Sequence, residues 1–158
     1  MWFSSDAAGA NLLWVGATDA DGIARAEQAF DRALEQGFYS LLSLVKATHR
    51  SQAVDQVKFF VLADSLVTVD GEASELHTEK SVIFGPCRAI PKEIPGISIK
   101  LVDLPLLPSG PTPEWMIDSI LRETLVPNVE PVVALRFDGR FVESLREMAE
   151  LPLGRIHL

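Results

Sequence analysis

The single cysteine, Cys87, stands in the run Gly85-Pro86-Cys87-Arg88, where an adjacent guanidinium would lower its pKa and make the thiol a nucleophile. Its other neighbours argue against that role. Val82, Ile83, Phe84 and Ile90 surround it in sequence, and a lone cysteine among such residues is expected to pack as a small buried hydrophobe. The only tyrosine, Tyr39, is followed by Ser40-Leu41-Leu42-Ser43. A reductase that protonates a carbonyl through tyrosine needs a lysine or asparagine nearby, and none stands at that spacing, so Tyr39 is expected to be a core aromatic with one polar tip. His49, His77 and His157 lie far apart with no recurring ligand spacing, which predicts no zinc site, and the first two fall in polar segments expected at the surface. Asp19 and Asp21 form the remaining candidate pair, either for a metal or, as is commoner for carboxylates just ahead of a helix, for capping it and complementing its dipole.

A nucleotide site in an α/β sheet needs a glycine-rich first turn that lets backbone amides approach phosphate. The ten glycines include no G-x-G pair, and the turn Gly16 to Gly22 carries two aspartates that would repel an anion. No G-x-S-x-G elbow supports serine-hydrolase chemistry either. Arg88, Lys92 and Glu93 read as the solvated face of a helix in preference to a charged contact with a second domain. These residues together predict no catalytic, cofactor-binding or metal-binding side chain in the chain.

The bulk composition narrows the class. The chain has 158 residues, 47% of them apolar and 23% charged, as in an ordinary globular domain with a proper core. A net charge of −8 without clustered lysine or arginine disfavours nucleic acid and anionic membrane as partners. No apolar run approaches the roughly 20 residues of a membrane span. The absence of a basic, then apolar, N-terminus and the single cysteine predict a cytoplasmic setting.

The elements that must position these residues follow from periodicity. Leu12 to Gly16 is a continuous apolar run that reads as a strand buried on both faces, with Asp21 placed to cap the next helix. From Gly22 to about Thr48, apolar residues recur at steps of three and four, predicting a long amphipathic helix. Gly37 marks a bend or close packing point, and the half from Phe38 to Val45 is expected to be sandwiched in the core. Val57 to Ala63 predicts a second strand, followed by a short strand or extended loop at Leu66 to Val69. A third helix is predicted from near Thr78 to Pro91, and then the strand Ile97 to Leu104, where Ser98 and Lys100 alternate with apolar residues as on a half-covered strand. A fourth helix, Glu114 to about Val126, is expected to bury Trp115, Ile117, Ile120, Leu121 and Leu125. Pro131 to Arg136 and Arg140 to Leu145 predict a hairpin around Asp138-Gly139. The expected fold is α/β, a truncated Rossmann-like three-layer arrangement with three or four parallel strands and a C-terminal β-hairpin.

The segment Ser81 to Leu104 carries Gly85-Pro86-Cys87-Arg88 and Ile90-Pro91-Lys92-Glu93-Ile94-Pro95-Gly96, and it closes on Val102-Asp103-Leu104, which Pro105 follows. It resembles a signature in the ketoreductase region of modular type I polyketide synthases. Leu12 to Val15, Leu41 to Ala47, Phe59 to Ala63, Val133 to Arg136 and Gly139 to Val142 are similar to further pieces of it, so the resemblance spans roughly Leu12 to Leu145. It implies the structural, non-catalytic subdomain of that short-chain-dehydrogenase-like ketoreductase. The implied role is to brace a catalytic half that reduces carrier-bound β-ketoacyl intermediates with NADPH, while this chain holds no cofactor itself. The implied partners are that catalytic half and neighbouring synthase domains, with a homodimer as a further possibility. On this reading residues 1–10 are an N-terminal adapter, 11–145 the subdomain and 146–158 a linker. Two other functions fit the residues: a stand-alone interaction or dimerisation module, and a small enzyme using Cys87 or the Asp19 and Asp21 pair at the strand ends.

Overall fold

The structure, a computed structural model, describes residues 2–6, 9–13, 20–51, 56–69, 76–106, 110–126 and 130–144. They fall into two compact units, one of Met1–Glu27 with Ser144–Leu158 and one of Gln28–Glu143. In the first unit β1 (Trp2–Asp6) pairs antiparallel with β2 (Gly9–Leu13), Trp2 opposite Leu13. The strand expected at Leu12 to Gly16 is thus placed earlier and has an antiparallel partner in place of a parallel one. Only two residues separate β1 from β2, a link that suits antiparallel pairing and is too short for a parallel crossover. Trp14 to Gly16 and Asp19 lie outside the described residues.

Helix α1 (Ala20–Ala33) leads directly into a π-helical turn (Leu34–Tyr39) and then α2 (Ser40–Ser51). Asp21 therefore lies inside the first helical turn and is not the residue ahead of it. The expected discontinuity at Gly37 is the π turn, and a β-carbon there would touch Ile83 Cδ1 at 3.7 Å, so the helix passes close to a neighbouring element at that point. That element is a 3-10 turn (Thr78–Ile83), which runs into α3 (Phe84–Glu93). Pro91 sits within α3, and the helix ends two residues later.

The main sheet has the order β3 (Val57–Asp64), β4 (Ile97–Leu104), β5 (Val132–Arg136), β6 (Gly139–Val142). β3, β4 and β5 are parallel, joined through α3 and through α4 (Glu114–Leu125), and β6 returns antiparallel after Phe137-Asp138. This is the α/β, truncated Rossmann-like arrangement with a C-terminal hairpin that the residue pattern predicts.

The sheet is covered from both sides. On one face Leu41 and Val45 of α2 and Cys87 and Ile90 of α3 pack on Ile97, Ile99 and Leu101 of β4. On the other, Val102, Val133 and Leu135 meet Ile120 of α4. Full burial of a side chain such as Ile99 or Leu101 contributes about 1.5–3 kcal/mol, so β4, covered on both faces, is the strand to which the second unit is anchored. The half from Phe38 to Val45 is not sandwiched as expected: Leu41 and Val45 are buried, but Tyr39 and Leu44 are exposed. β3 is an outer strand of the sheet, so the helix has core beneath only one side. No helix among the described residues is long and apolar enough to cross a membrane.

Candidate functional site

In open α/β sheets ligands sit outside the carboxyl ends of the parallel strands. Here β3 ends at Asp64, β4 at Leu104 and β5 at Arg136, and the chain that leaves β3 lies across those ends. Ser65 adopts φ 56°, the left-handed region that a side-chain-bearing residue occupies at a cost of about 1–2 kcal/mol. Backbone bonds hold it there: its N–H donates to the Leu104 carbonyl at 2.9 Å, and its carbonyl accepts from the His77 N–H at 2.9 Å. The Ser65 hydroxyl is buried and makes no hydrogen bond with any described residue.

Two charged side chains complete the closure. Asp103, fully buried on β4, accepts the Leu66 N–H at 2.7 Å on Oδ1, and on Oδ2 it accepts Arg136 at 3.0 Å and the Val67 N–H at 3.4 Å. Arg136 reaches onward to the Val67 carbonyl at 2.8 Å. Burial pushes the Asp103 carboxyl above the ordinary range, against the opposing pull of the Leu66 amide and the Arg136 guanidinium. The pair clamps Ser65–Val67 over the strand ends, where the amides that would face a ligand are already engaged.

Around this closure lie partly exposed charges. Lys80 bonds both carboxylate oxygens of Asp64, at 2.7 and 2.8 Å, and His77 Nδ1 lies 3.1 Å from Glu79. Beside them a slot of about 640 Å³ runs along the outer edge of β3, lined by Gly37, Leu41, Leu44, Phe59 and Val61. Its walls are mostly apolar, with Asp64 paired to Lys80, and Arg32, Gln36, Ser40 and Glu79 also on its lining, so it suits apolar contact better than proton transfer.

A second buried network lies on the opposite face of the sheet. Lys100 is 0% exposed, although its alternation with apolar residues predicts solvent contact. Helix α4 covers it, and Glu123 meets its ammonium at 2.9 Å. Arg140 of β6 donates to the same carboxylate and to Glu130 at 3.0 Å. Burial alone would raise the Glu123 carboxyl, but the hydrogen bonds from Arg140 and Lys100 hold it below the usual range. Glu123 in turn raises Arg140.

The residues singled out from sequence are scattered by the fold. Cys87 is 2% exposed, and burial pushes its thiol up to about 12, so it is a protonated packing group at neutral pH. Tyr39 is 54% exposed against an expectation of burial, its ring edge-on to Phe38 at 5.3 Å. The helix face it occupies has no strand beneath it among the described residues. His49 is exposed, His77 is half-buried where exposure was expected, and His157 lies outside the described residues. Arg88, Lys92 and Glu93 are exposed, and Arg88 pairs with Glu143 at 2.8 Å. Among the described residues no group of three His, Cys, Asp or Glu side chains is arranged for a metal ion. The sequence reading missed Asp103, Arg136, Lys100, Glu123 and Arg140. One signal was available for Asp103: a lone carboxylate at the end of an otherwise apolar run must find a partner when that run is buried.

Comparison of the chain with protein-family models, with curated proteins and with solved structures finds no match.

Proposed function

We propose that this chain is the structural, non-catalytic subdomain of a polyketide synthase ketoreductase, bracing an NADPH-dependent half that reduces carrier-bound β-ketoacyl groups. The observation that carries the reading is the clamp over the strand ends. Asp103, the acidic residue of the Val102-Asp103-Leu104-Pro105 motif, uses its carboxylate to hold the chain's own loop where a Rossmann-like sheet would otherwise receive a ligand. A sheet closed in this way serves as a support.

Two further features support it. The motif helix α3 passes through Pro95-Gly96 directly into β4, the order that the resemblance to the ketoreductase region implies. The outer strand β3 keeps an apolar slot and a half-exposed Leu62, the kind of edge that an adjoining protein half covers. The experiment adds the purified chain to a separately expressed ketoreductase catalytic half and follows reduction of a β-ketoacyl thioester, with an NADPH titration of the chain alone in parallel. A gain in activity or solubility of the catalytic half, with no saturable NADPH binding by this chain, is the expected result. Saturable NADPH binding by the chain alone overturns the reading.

A further inference from the structure

The outer edge of β3 offers main-chain groups as well as apolar surface. The Val57 N–H donates to the Gly96 carbonyl at 2.8 Å, and from there β3 runs in parallel register with β4, Val57 beside Ile97 and Asp64 beside Leu104. Main-chain groups of successive residues in a strand point to alternate sides. Val57, Phe59, Val61 and Ala63 therefore bond β4, and the N–H and C=O groups of Lys58, Phe60 and Leu62 point away from the sheet. Among the described residues no hydrogen bond answers that row. The slot of about 640 Å³ lies along the same edge, within the unit Gln28–Glu143, and Ala33, Gly37 and Leu41 form its helical wall. Arg32 also stands on the lining. Its Nε donates to the Gln28 carbonyl at 3.3 Å, and it meets no carboxylate among the described residues. The two carboxylates of the lining have partners already, Asp64 in Lys80 and Glu79 in His77.

We propose that this edge receives an extended segment of the adjoining catalytic half, which adds to β3 as a strand, sets apolar side chains in the slot and presents a carboxylate to Arg32. The proposal rests on the ketoreductase reading and adds the form of the contact. Apolar surface alone would suit a helix or a flat patch, but a row of outward N–H and C=O groups is answered by another extended backbone. The unpaired guanidinium selects an acidic residue on that segment. A second copy of β3 suits the slot less well. Antiparallel pairing about a two-fold axis keeps both sheets the same way up, so each copy would bring its own helical wall against the slot that the other's wall already borders.

The test is amide hydrogen exchange of the full chain, read residue by residue with and without the separately expressed catalytic half. The Phe60 and Leu62 amides are expected to exchange fast in the chain alone and to slow at least about a hundredfold in the complex. Those of Phe59, Val61 and Ala63, already bonded to β4, are expected to be slow in both. Leu62→Pro removes an outward N–H that the sheet does not use, and is expected to weaken the complex at least about tenfold. Arg32→Glu is expected to weaken it by about the same factor. Thermal melts check that both variants fold, and should Leu62→Pro fail to, the exchange pattern decides. Binding that leaves the Phe60 and Leu62 amides fast overturns the added strand while the ketoreductase reading stands. A catalytic half that does not bind the chain overturns both. Phe60 and Leu62 amides that are already slow in the chain alone also overturn the proposal: protection that rises with concentration places a second copy on the edge, and protection that does not places the cover within the chain.

Discussion

Helices α3 and α4 are 10 and 12 residues long and pack on opposite faces of the same sheet, yet they place their apolar residues in opposite ways. α3 turns its Cys87 and Ile90 inward to join a continuous apolar core with β4 and α2. α4 turns inward Met116 and a carboxylate, Glu123, and leaves Ile117, Leu121 and Leu125 outside. The reason lies across the sheet. Lys100 projects from β4 on the α4 side, and a buried ammonium costs several kcal/mol unless a carboxylate meets it. The rotation of α4 that brings Glu123 to Lys100 carries the Leu121 ridge away from the sheet. Where a buried charge and an apolar stripe compete for one helix face, the charge decides, because leaving it unpaired costs more than exposing a leucine.

The largest test of that contrast is Glu123→Ala, which strands Lys100 without a partner. It is expected to destabilise the chain by about 3–5 kcal/mol in urea unfolding, and an effect below about 1 kcal/mol would mean that the network does not orient α4. On the α3 side, Ile90→Ala removes a nearly fully buried side chain and is expected to cost about 2–5 kcal/mol by the same measurement. Smaller and pH-dependent is the contribution of the Glu123 carboxyl, which the fold holds below its ordinary value through Arg140 and Lys100 against the cost of burial. Its stabilisation is complete above the unfolded glutamate value and is lost as pH falls through the lower folded one. Asp103, raised by burial, acts in the opposite sense: its contribution is present at low pH and lost as pH rises through its folded value. Stability measured against pH in Glu123→Gln is therefore expected to lose part of the acid-side decline seen in the wild type. Smallest of all, Leu121→Ser is expected to shift stability by no more than about 0.5 kcal/mol. A large loss there would mean that the outward ridge is covered from within the chain.

Cys87 gives a test on the α3 side that does not depend on truncation. With its thiol pushed from 9.0 to about 12 by burial, it should resist a thiol reagent at neutral pH until the protein unfolds. The raised value also means that stability is lost as pH climbs from about 9 toward 12, because only the unfolded chain ionises freely. Substitution by alanine should remove that alkaline loss, to be read from unfolding curves at both ends of the range.

Much of the fold is legible in the residues. Phe59 to Ala63 and Ile97 to Leu104 announce strands by composition, Phe137-Asp138-Gly139 announces the hairpin, and Gly37 announces an interruption in a long helix. The misreadings share one cause. Periodicity within each element predicts Lys100 at the surface, Ile117, Leu121 and Leu125 inside, and Tyr39 in the core, and the structure reverses all of these. Periodicity reports that a helix or strand has two unlike faces, but it does not say which neighbour covers either one. The charged clamp was illegible for a related reason, since Asp103 and Arg136 are 33 positions apart and only the parallel pairing of β4 with β5 brings them together.

The residue order by itself determined the succession of elements from the long helix onward, the apolar character of β4 and the burial of Cys87, because each follows from local composition and from a water-avoiding surface that any compact fold must cover. Only the tertiary structure decided which way α4 faces, that Lys100 is buried, and that the strand ends are closed by Ser65–Val67. Those outcomes depend on which distant charges meet, and the cost of leaving a buried charge unpaired exceeds the preference of any single helix for its own apolar side.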